Sequence, residues 1–282
     1  MSDVKKSTYP SKSSSPVEGF GGADILSKIV KDKRKEVALK KSIIPVKQWE
    51  ASVLFERNTV SMVEALRQSS TGIIAEHKRR SPSKNTINQH TNVGQVAMGY
   101  ERAGVCGMSV LTDIKYFGGS LEDLLLARAS VEMPLLRKEF IIDEYQILEA
   151  KAHGADLILL IAAILTRDEI KTFSELAKSL GLEVLLEVHD EAELQKSILP
   201  SLDLLGVNNR NLKTFEVNLE ISKMLSSLIP EDFVKVSESG ISSVAAIKDL
   251  KSYGYEGFLI GENFMKTENP GESAQQFIEK LT

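Results

Sequence analysis

Between Gly72 and the C-terminus, short apolar runs and longer stretches with apolar positions three and four apart alternate eight times. The short runs are IIAEHK from Ile73, MSVLTD from Met108, PLLRKEF from Pro134 and DLILLIA from Asp156, then EVLLEV from Glu183, LLGVNNR from Leu204, VKVSESG from Val234 and GFLIG from Gly257. Their near-continuous Val, Ile and Leu content is that of strands buried on both faces of a parallel sheet. The stretches between them, such as SLEDLLLARAS from Ser120 and TRDEIKTFSELAKSLG from Thr166, carry the helical period. One unit takes about 26 residues, enough for a strand, a crossover helix and two short loops. Eight units in succession predict an α/β fold, a closed (β/α)8 TIM barrel rather than an open doubly wound sheet.

Ahead of the repeat, Ile25, Leu26, Ile29, Val30 and Val37 recur at helical spacing from Asp24 onward, while Lys31, Lys33, Arg34 and Lys35 fill the other positions. The spacing predicts an amphipathic helix whose basic residues form a solvated face. A second helix is predicted over Ser61 to Gln68, leading into the first strand. Residues 1–22, rich in Ser, Lys, Pro and Gly, bury too little apolar surface to offset ordering entropy and read as a flexible tail. The domain reading is therefore residues 1–22 as tail and 23–282 as one barrel domain, of which 23–71 form an N-terminal helical extension.

The remaining composition narrows the function classes. The 282 residues suit a single barrel, and 42% hydrophobic with 26% charged residues is ordinary for a soluble globular chain. A net charge of -4 supplies no general attraction to nucleic acid or an anionic membrane. No signal-peptide core or transmembrane-length apolar run is present. The single cysteine, Cys106, has no disulfide partner in the chain, and the four histidines lack zinc-ligand spacing. A reducing, cytoplasmic setting without a structural metal is expected. Cys106 precedes the second strand, at the amino end, and reads as a small buried residue.

Polar residues gather where the strands run out, which in such barrels is where active sites are built. The ends read Glu76-His77-Lys78, Arg137-Lys138-Glu139, Glu187, Asn208-Asn209-Arg210, Glu238-Ser239-Gly240 and Gly261-Glu262. Strand alternation puts Glu76 with Lys78, and Asn208 with Arg210, on one face. If that face is the barrel mouth, two lysines and at least two glutamates converge, each opposite pair interacting by about 4 kcal/mol at 4 Å before desolvation. A salt-bridge ring closing the barrel is the competing reading. Glycines in SESGI and IGEN, after strands seven and eight, suit a phosphate held on backbone N–H groups. No Walker A pattern and no G-x-G-x-x-G at a strand-to-helix turn argue for a nucleotide cofactor.

Glu76-His77-Lys78-Arg79-Arg80-Ser81-Pro82-Ser83-Lys84 resembles the E-x-K-x-x-S-P-S signature of the indole-3-glycerol phosphate synthase family. The likeness runs from about Asp24 to the C-terminus and recurs in SVLTDIKYFGGSLEDL, LLRKEFIIDEYQI, LLEVHD, GVNNRNL, VSESGI and LIGENFM. It implies closure of the indole ring of a carboxyphenylamino-deoxyribulose 5-phosphate, with loss of carbon dioxide and water and no cofactor or metal. It further implies that Lys138 is the general acid on the substrate ketone and that Lys78 holds the substrate carboxylate and protonates the departing hydroxyl. Glu187 becomes the base for dehydration, Glu76 orients the lysines, and Asn208 and Arg210 position polar groups. Phe117, Phe140 and Leu212 form an apolar slot, while Ser81, Ser239, Gly240, Gly261 and Glu262 carry the phosphate, Glu262 through its backbone N–H. Other enzymes of tryptophan biosynthesis are left open as partners.

Four positions depart from the family pattern: His77, Asn85, Ile114 and Asn263. His77 points away from Glu76 and Lys78 and is expected as a hydrogen-bonded histidine beneath the helices. Asn85 replaces a common glycine, which suggests a positive φ tolerated at small cost. Phosphoribosylanthranilate isomerases, also barrels with a phosphate site, are expected to use a Cys and Asp pair at strand ends, and Cys106 is misplaced for that. A noncatalytic phosphate-binding barrel has no need of an acid and a base together. Deleting residues 1–22 is expected to leave turnover of the family's substrate unchanged in a steady-state assay; a large loss would show that the tail is not passive.

Overall fold

In the computed structural model, which describes residues 22–282, eight parallel strands close in sequence order into a barrel. They are β1 (Ile73–His77), β2 (Gly107–Leu111), β3 (Leu135–Lys138), β4 (Leu157–Ile161), β5 (Glu183–Val188), β6 (Leu204–Asn208), β7 (Val234–Glu238) and β8 (Gly257–Ile260). Each falls within a run read from the sequence except β2, which starts one residue before its run, and β8 closes the ring on β1 through Ile73↔Phe258 and Ile74↔Leu259. The helical extension consists of α1 (Gly22–Ile43), α2 (Val46–Glu50) and α3 (Met62–Arg67). The outer layer is made by α4 (Val93–Ala103), α5 (Ile114–Phe117), α6 (Leu121–Ser130), α7 (Glu144–Ala152), α8 (Arg167–Ser179) and α9 (Glu191–Ser197). It continues with α10 (Glu220–Ser226), α11 (Val244–Ser252), α12 (Glu262–Met265) and α13 (Pro270–Glu279). No described helix is long and apolar enough to cross a membrane. The tail read over residues 1–22 lies outside the described residues except for Gly22, which opens α1.

Side-chain polarity explains the start points of most of these helices. Ser61, Asn92, Asp113, Ser120, Asp143, Thr166, Asp190 and Ser243 each accept a backbone N–H of the first turn that follows them. Each such cap stabilises a helix end by about 1 kcal/mol. Alternate strand residues then divide the apolar core in two. Ile73, Ala75, Val110, Leu160, Val184, Leu186 and Val207 pack outward under the helices. Ile74, Leu136, Leu159, Leu185, Val236 and Leu259 fill the barrel interior. At the amino end Met62 and Leu66 of α3 plug the barrel, seated where Gly107 and Gly257 leave room. Cys106 is buried at that same end, as expected.

The reading of the basic helix needs correction. Lys33 is only 2% exposed and lies on the buried side of α1 between Ile29 and Val37. Its ammonium sits 3.0 Å from Asp113, 3.0 Å from Glu139 and 2.8 Å from Glu36. Glu139 accepts the Thr112 hydroxyl at 2.9 Å, Thr112 accepts Arg137, and Arg137 pairs with Glu149 at 2.7 Å. This continuous polar chain fastens α1 across the carboxyl ends of β2 and β3. Breaking a buried pair on one side leaves an uncompensated charge, which costs about 3–5 kcal/mol. Lys33→Met is therefore expected to lower unfolding free energy by about that amount, measured by urea denaturation; a change confined to a few tenths would show the cluster to be dispensable.

Candidate active site

One cavity of about 400 Å³ opens at the carboxyl end of the barrel. All fourteen residues read as site residues line it: Glu76, Lys78, Ser81, Phe117, Lys138, Phe140, Glu187, Asn208, Arg210, Leu212, Ser239, Gly240, Gly261 and Glu262. The inward alternation of each strand brings them there from distant stretches of chain. Ile25, Leu26 and Ile29 of α1 form part of its wall, so the extension covers the mouth.

The charges meet on the cavity floor. Lys138 Nζ lies 2.5 Å from Glu238 Oε2, 3.7 Å from Glu187 Oε2 and 3.9 Å from Glu76 Oε2. Lys78 Nζ pairs with the other oxygen of Glu76 at 2.5 Å. Burial pushes the Lys138 ammonium toward losing its proton, but Glu238, Glu187 and Glu76 outweigh this and hold it charged well above the ordinary lysine range. Burial likewise raises the Glu76 carboxyl, and the Lys78 and Lys138 charges overcome it to keep Glu76 ionised. Burial raises Glu187 too, while Lys138 and then His189 bring it below the usual carboxylate range. Glu238 behaves oppositely: burial pushes its carboxyl up to about 7, against the pull of Lys138 and aided by the neighbouring Glu187 charge. The two carboxyls titrate as a coupled pair, with Glu238 the one that holds its proton more tightly.

Glu238 and His189 extend the set read from the sequence. Glu238 is the closest partner of Lys138, and its carboxylate occupies space that a side chain at Gly206 would fill. Its signal was position: it shares the inward face with Val236. His189, two residues beyond Glu187, lines the cavity with its Nε2 3.4 Å from Glu187 Oε1.

The two walls of the cavity differ. Phe117, after β2, and Phe140, after β3, bring their rings to 5.9 Å between centroids at 43°. Phe140 also packs on the interior core, so both readings of that residue hold. On the side of β7, β8 and β1, Ser239 and Gly240 take successive left-handed conformations, with φ of 67° and 79°. Gly240 is required there because a Cβ would collide with Val217. Gly261 serves Glu76, whose carboxylate fills the space a side chain would need. Lys84 forms an ion pair with the Glu262 carboxylate and offsets its charge at this end of the cavity. Arg210 borders the cavity while donating to the Phe215 carbonyl at 2.9 Å.

Two readings of the departures change. His77 is buried between β1 and the helices as expected, but its Nε2 has no hydrogen-bond partner, and burial with the nearby Arg79 charge lowers its pKa to about 4. That nitrogen therefore lacks the expected bond, and the ring is held neutral at ordinary pH. Asn85 does not use a positive φ, since Phe215 and Ser239 are the non-glycine residues that do so among those described. Ile114 is exposed on α5, and Asn263 lines the cavity beside Glu262.

The family model for indole-3-glycerol phosphate synthase matches residues 26–278. The chain belongs to the indole-3-glycerol phosphate synthase family. A relative of that name from Bacteroides thetaiotaomicron is 48% identical over 258 residues, covering 92% of this chain and 99% of its own. One from a Polaromonas species is 42% identical, covering 91% and 98%. Among solved structures, KGPDC from Streptococcus mutans superposes with a TM-score of 0.58 at 14% identity, covering 74% of this chain and 96% of its own. Thiamine phosphate pyrophosphorylase from Pyrococcus furiosus gives 0.54 at 14% identity, covering 75% and 95%, and with the former shows a shared fold. The synthase family's E-x-K and S-P-S positions are here the cavity residues Glu76, Lys78, Ser81, Pro82 and Ser83.

The Glu238 carboxyl gives a pH signature. Its folded-state pKa of about 7 lies above the ordinary 4.5. The stability it contributes is thus complete below about 4.5 and is lost as pH rises through about 7. Glu238→Gln, which fixes the neutral form, is expected to gain on the wild type in urea midpoint between about pH 4 and about pH 8. Parallel curves for the two proteins would show that folding leaves the Glu238 carboxyl unshifted.

Proposed function

We propose that this chain closes the indole ring of 1-(2-carboxyphenylamino)-1-deoxyribulose 5-phosphate, releasing carbon dioxide and water and giving indole-3-glycerol phosphate. The observation that carries this reading is Lys138, charged and central on the floor, between an aromatic wall and a glycine-rich turn. An ammonium held this firmly gives up its proton only to an oxygen approaching alkoxide basicity. The substrate ketone becomes such an oxygen as the aromatic carbon attacks it, so Lys138 stabilises the transition state more than the ground state. Lys78, paired with Glu76, is placed to take the substrate carboxylate and later to protonate the departing hydroxyl. Glu187, kept ionised by Lys138, is the base for dehydration.

Asn208 and Arg210 orient the hydroxyl groups and carboxylate from the β6 side. Phe117, Phe140 and Leu212 take the aromatic half by stacking and van der Waals contact. The phosphate rests on Ser81, Ser239, Gly240, Gly261 and the Glu262 backbone N–H, with the Glu262 carboxylate turned to Lys84. The reading places the chain in the cytoplasm, with other enzymes of tryptophan biosynthesis as candidate neighbours.

The test is to incubate the protein with the carboxyphenylamino substrate and follow indole fluorescence. Turnover is expected in the wild type and a fall of about 10²–10⁴-fold in Lys138→Ala, with binding of a ketone-reduced analogue retained. A wild type that binds the analogue without turnover overturns the activity. Near-normal turnover by the variant overturns the role of Lys138 alone.

A further inference from the structure

His189 stands in the LLEVHD motif two residues after Glu187 and shares its inward face, yet the roles assigned above leave it unused. Its two ring nitrogens face two different carboxylates. Nε2 lies 3.4 Å from Glu187 Oε1, while Lys138 approaches the other Glu187 oxygen at 3.7 Å. Nδ1 lies 3.1 Å from Glu193 Oε2 on the first turn of α9. The same Glu193 oxygen accepts the His189 backbone N–H at 2.8 Å, which fixes the carboxylate against the ring. A proton on Nδ1 directed at Glu193 leaves the Nε2 lone pair aimed at Glu187. Nε2 is buried, and Glu187 is the carboxylate that faces it, at a separation and angle outside hydrogen-bond geometry. The line also runs from inside to outside, because the Glu187 side chain is 6% exposed and that of Glu193 is 17% exposed.

We propose that His189 is a positioning residue that relays protons between Glu187 and solvent along the line Glu187, His189, Glu193. The inference rests on Glu187 acting as the base of the dehydration step. In that step Glu187 takes a proton from the ring carbon next to the hydroxyl-bearing carbon. The C–H electron pair forms the new double bond, and the C–O pair leaves with the hydroxyl, which departs as water with a proton from Lys78. Glu187 then passes its proton to Nε2, and the imidazolium is held between two carboxylates until it loses a proton to water beside Glu193. The groups facing the ring are Glu187 from β5, Glu193 from α9 and Glu238 from β7, with Lys138 of β3 beyond Glu187. Burial alone lowers the imidazole pKa, but these three carboxylates outweigh it and raise it. The imidazolium is therefore favoured while the ring lies between the two carboxylates, which lets it hold a proton handed on by Glu187.

The test compares pH–rate profiles of wild type, His189→Gln and His189→Asn, with melting temperature and analogue binding measured alongside. The wild type is expected to lose kcat at acid pH as the imidazole becomes doubly protonated and cannot accept. Both variants are expected to lose about 10²-fold in kcat at neutral pH, with KM unchanged, no such acid limb, and partial rescue by added imidazole. Unchanged kcat, or the same acid limb in the variants, overturns the relay. Should the variants fail to fold, 1H–15N spectra of the wild-type imidazoles decide: the relay requires His189 to carry its neutral-form proton on Nδ1 and to titrate above 6.5. The opposite tautomer overturns it. Absence of wild-type turnover with these ring properties intact would count against the proposed activity and not against the geometry of the line.

Discussion

One ammonium, Lys138, faces three buried carboxylates, and much of the barrel mouth follows from that imbalance. Three anions against one cation cannot all stay ionised in a site shielded from water. Lys78 is recruited to Glu76, Glu187 keeps its charge beside Lys138, and the Glu238 carboxyl is pushed upward by burial and the Glu187 charge. The backbone yields to the same demand. Gly206 and Gly261 are glycines because the Glu238 and Glu76 carboxylates occupy the volume of their missing side chains. Beneath this layer Leu136, Leu159, Leu185 and Val236 exclude water, which strengthens every interaction above them. The apolar packing that stabilises the barrel is also what makes its charged rim sensitive to substrate.

The extension is joined to this rim through charge as well as through apolar contact. Lys33 reaches Asp113, which also caps α5 and so places Phe117, and Glu139, which lies between Lys138 and Phe140 in the chain. A helix packed only by Ile29 and Val37 could slide; one tied to two strand ends has a single register. The aromatic wall and the cover over it are therefore set by one ion cluster.

The fold was legible because each strand is buried on both faces and most helices begin at a polar cap, two signals that are local in sequence. The fourteen cavity residues were legible from strand ends and the family motifs. What escaped is nonlocal or depends on a change of environment along a helix. Lys33 looks like one of several surface lysines, although its four-residue spacing from Ile29 and Val37 already placed it on the apolar stripe. Glu238 was visible at the end of β7, but only closure of the barrel brings β7 across to β3. His189 shares a face with Glu187 by simple alternation, whereas its link to Glu193 needs the turn into α9. The missing bond at His77 was not readable at all, since it depends on which groups the helices fail to bring near.

The plug formed by Met62 and Leu66 has a consequence for traffic. With the amino end filled by side chains fitted against Gly107 and Gly257, the cavity among the described residues opens at the other end, at the mouth beneath α1. A phosphorylated ligand and whatever it becomes use that mouth in turn. Entry and exit then pass the same Ile25, Leu26 and Ile29 side chains of α1, which makes that helix part of both steps.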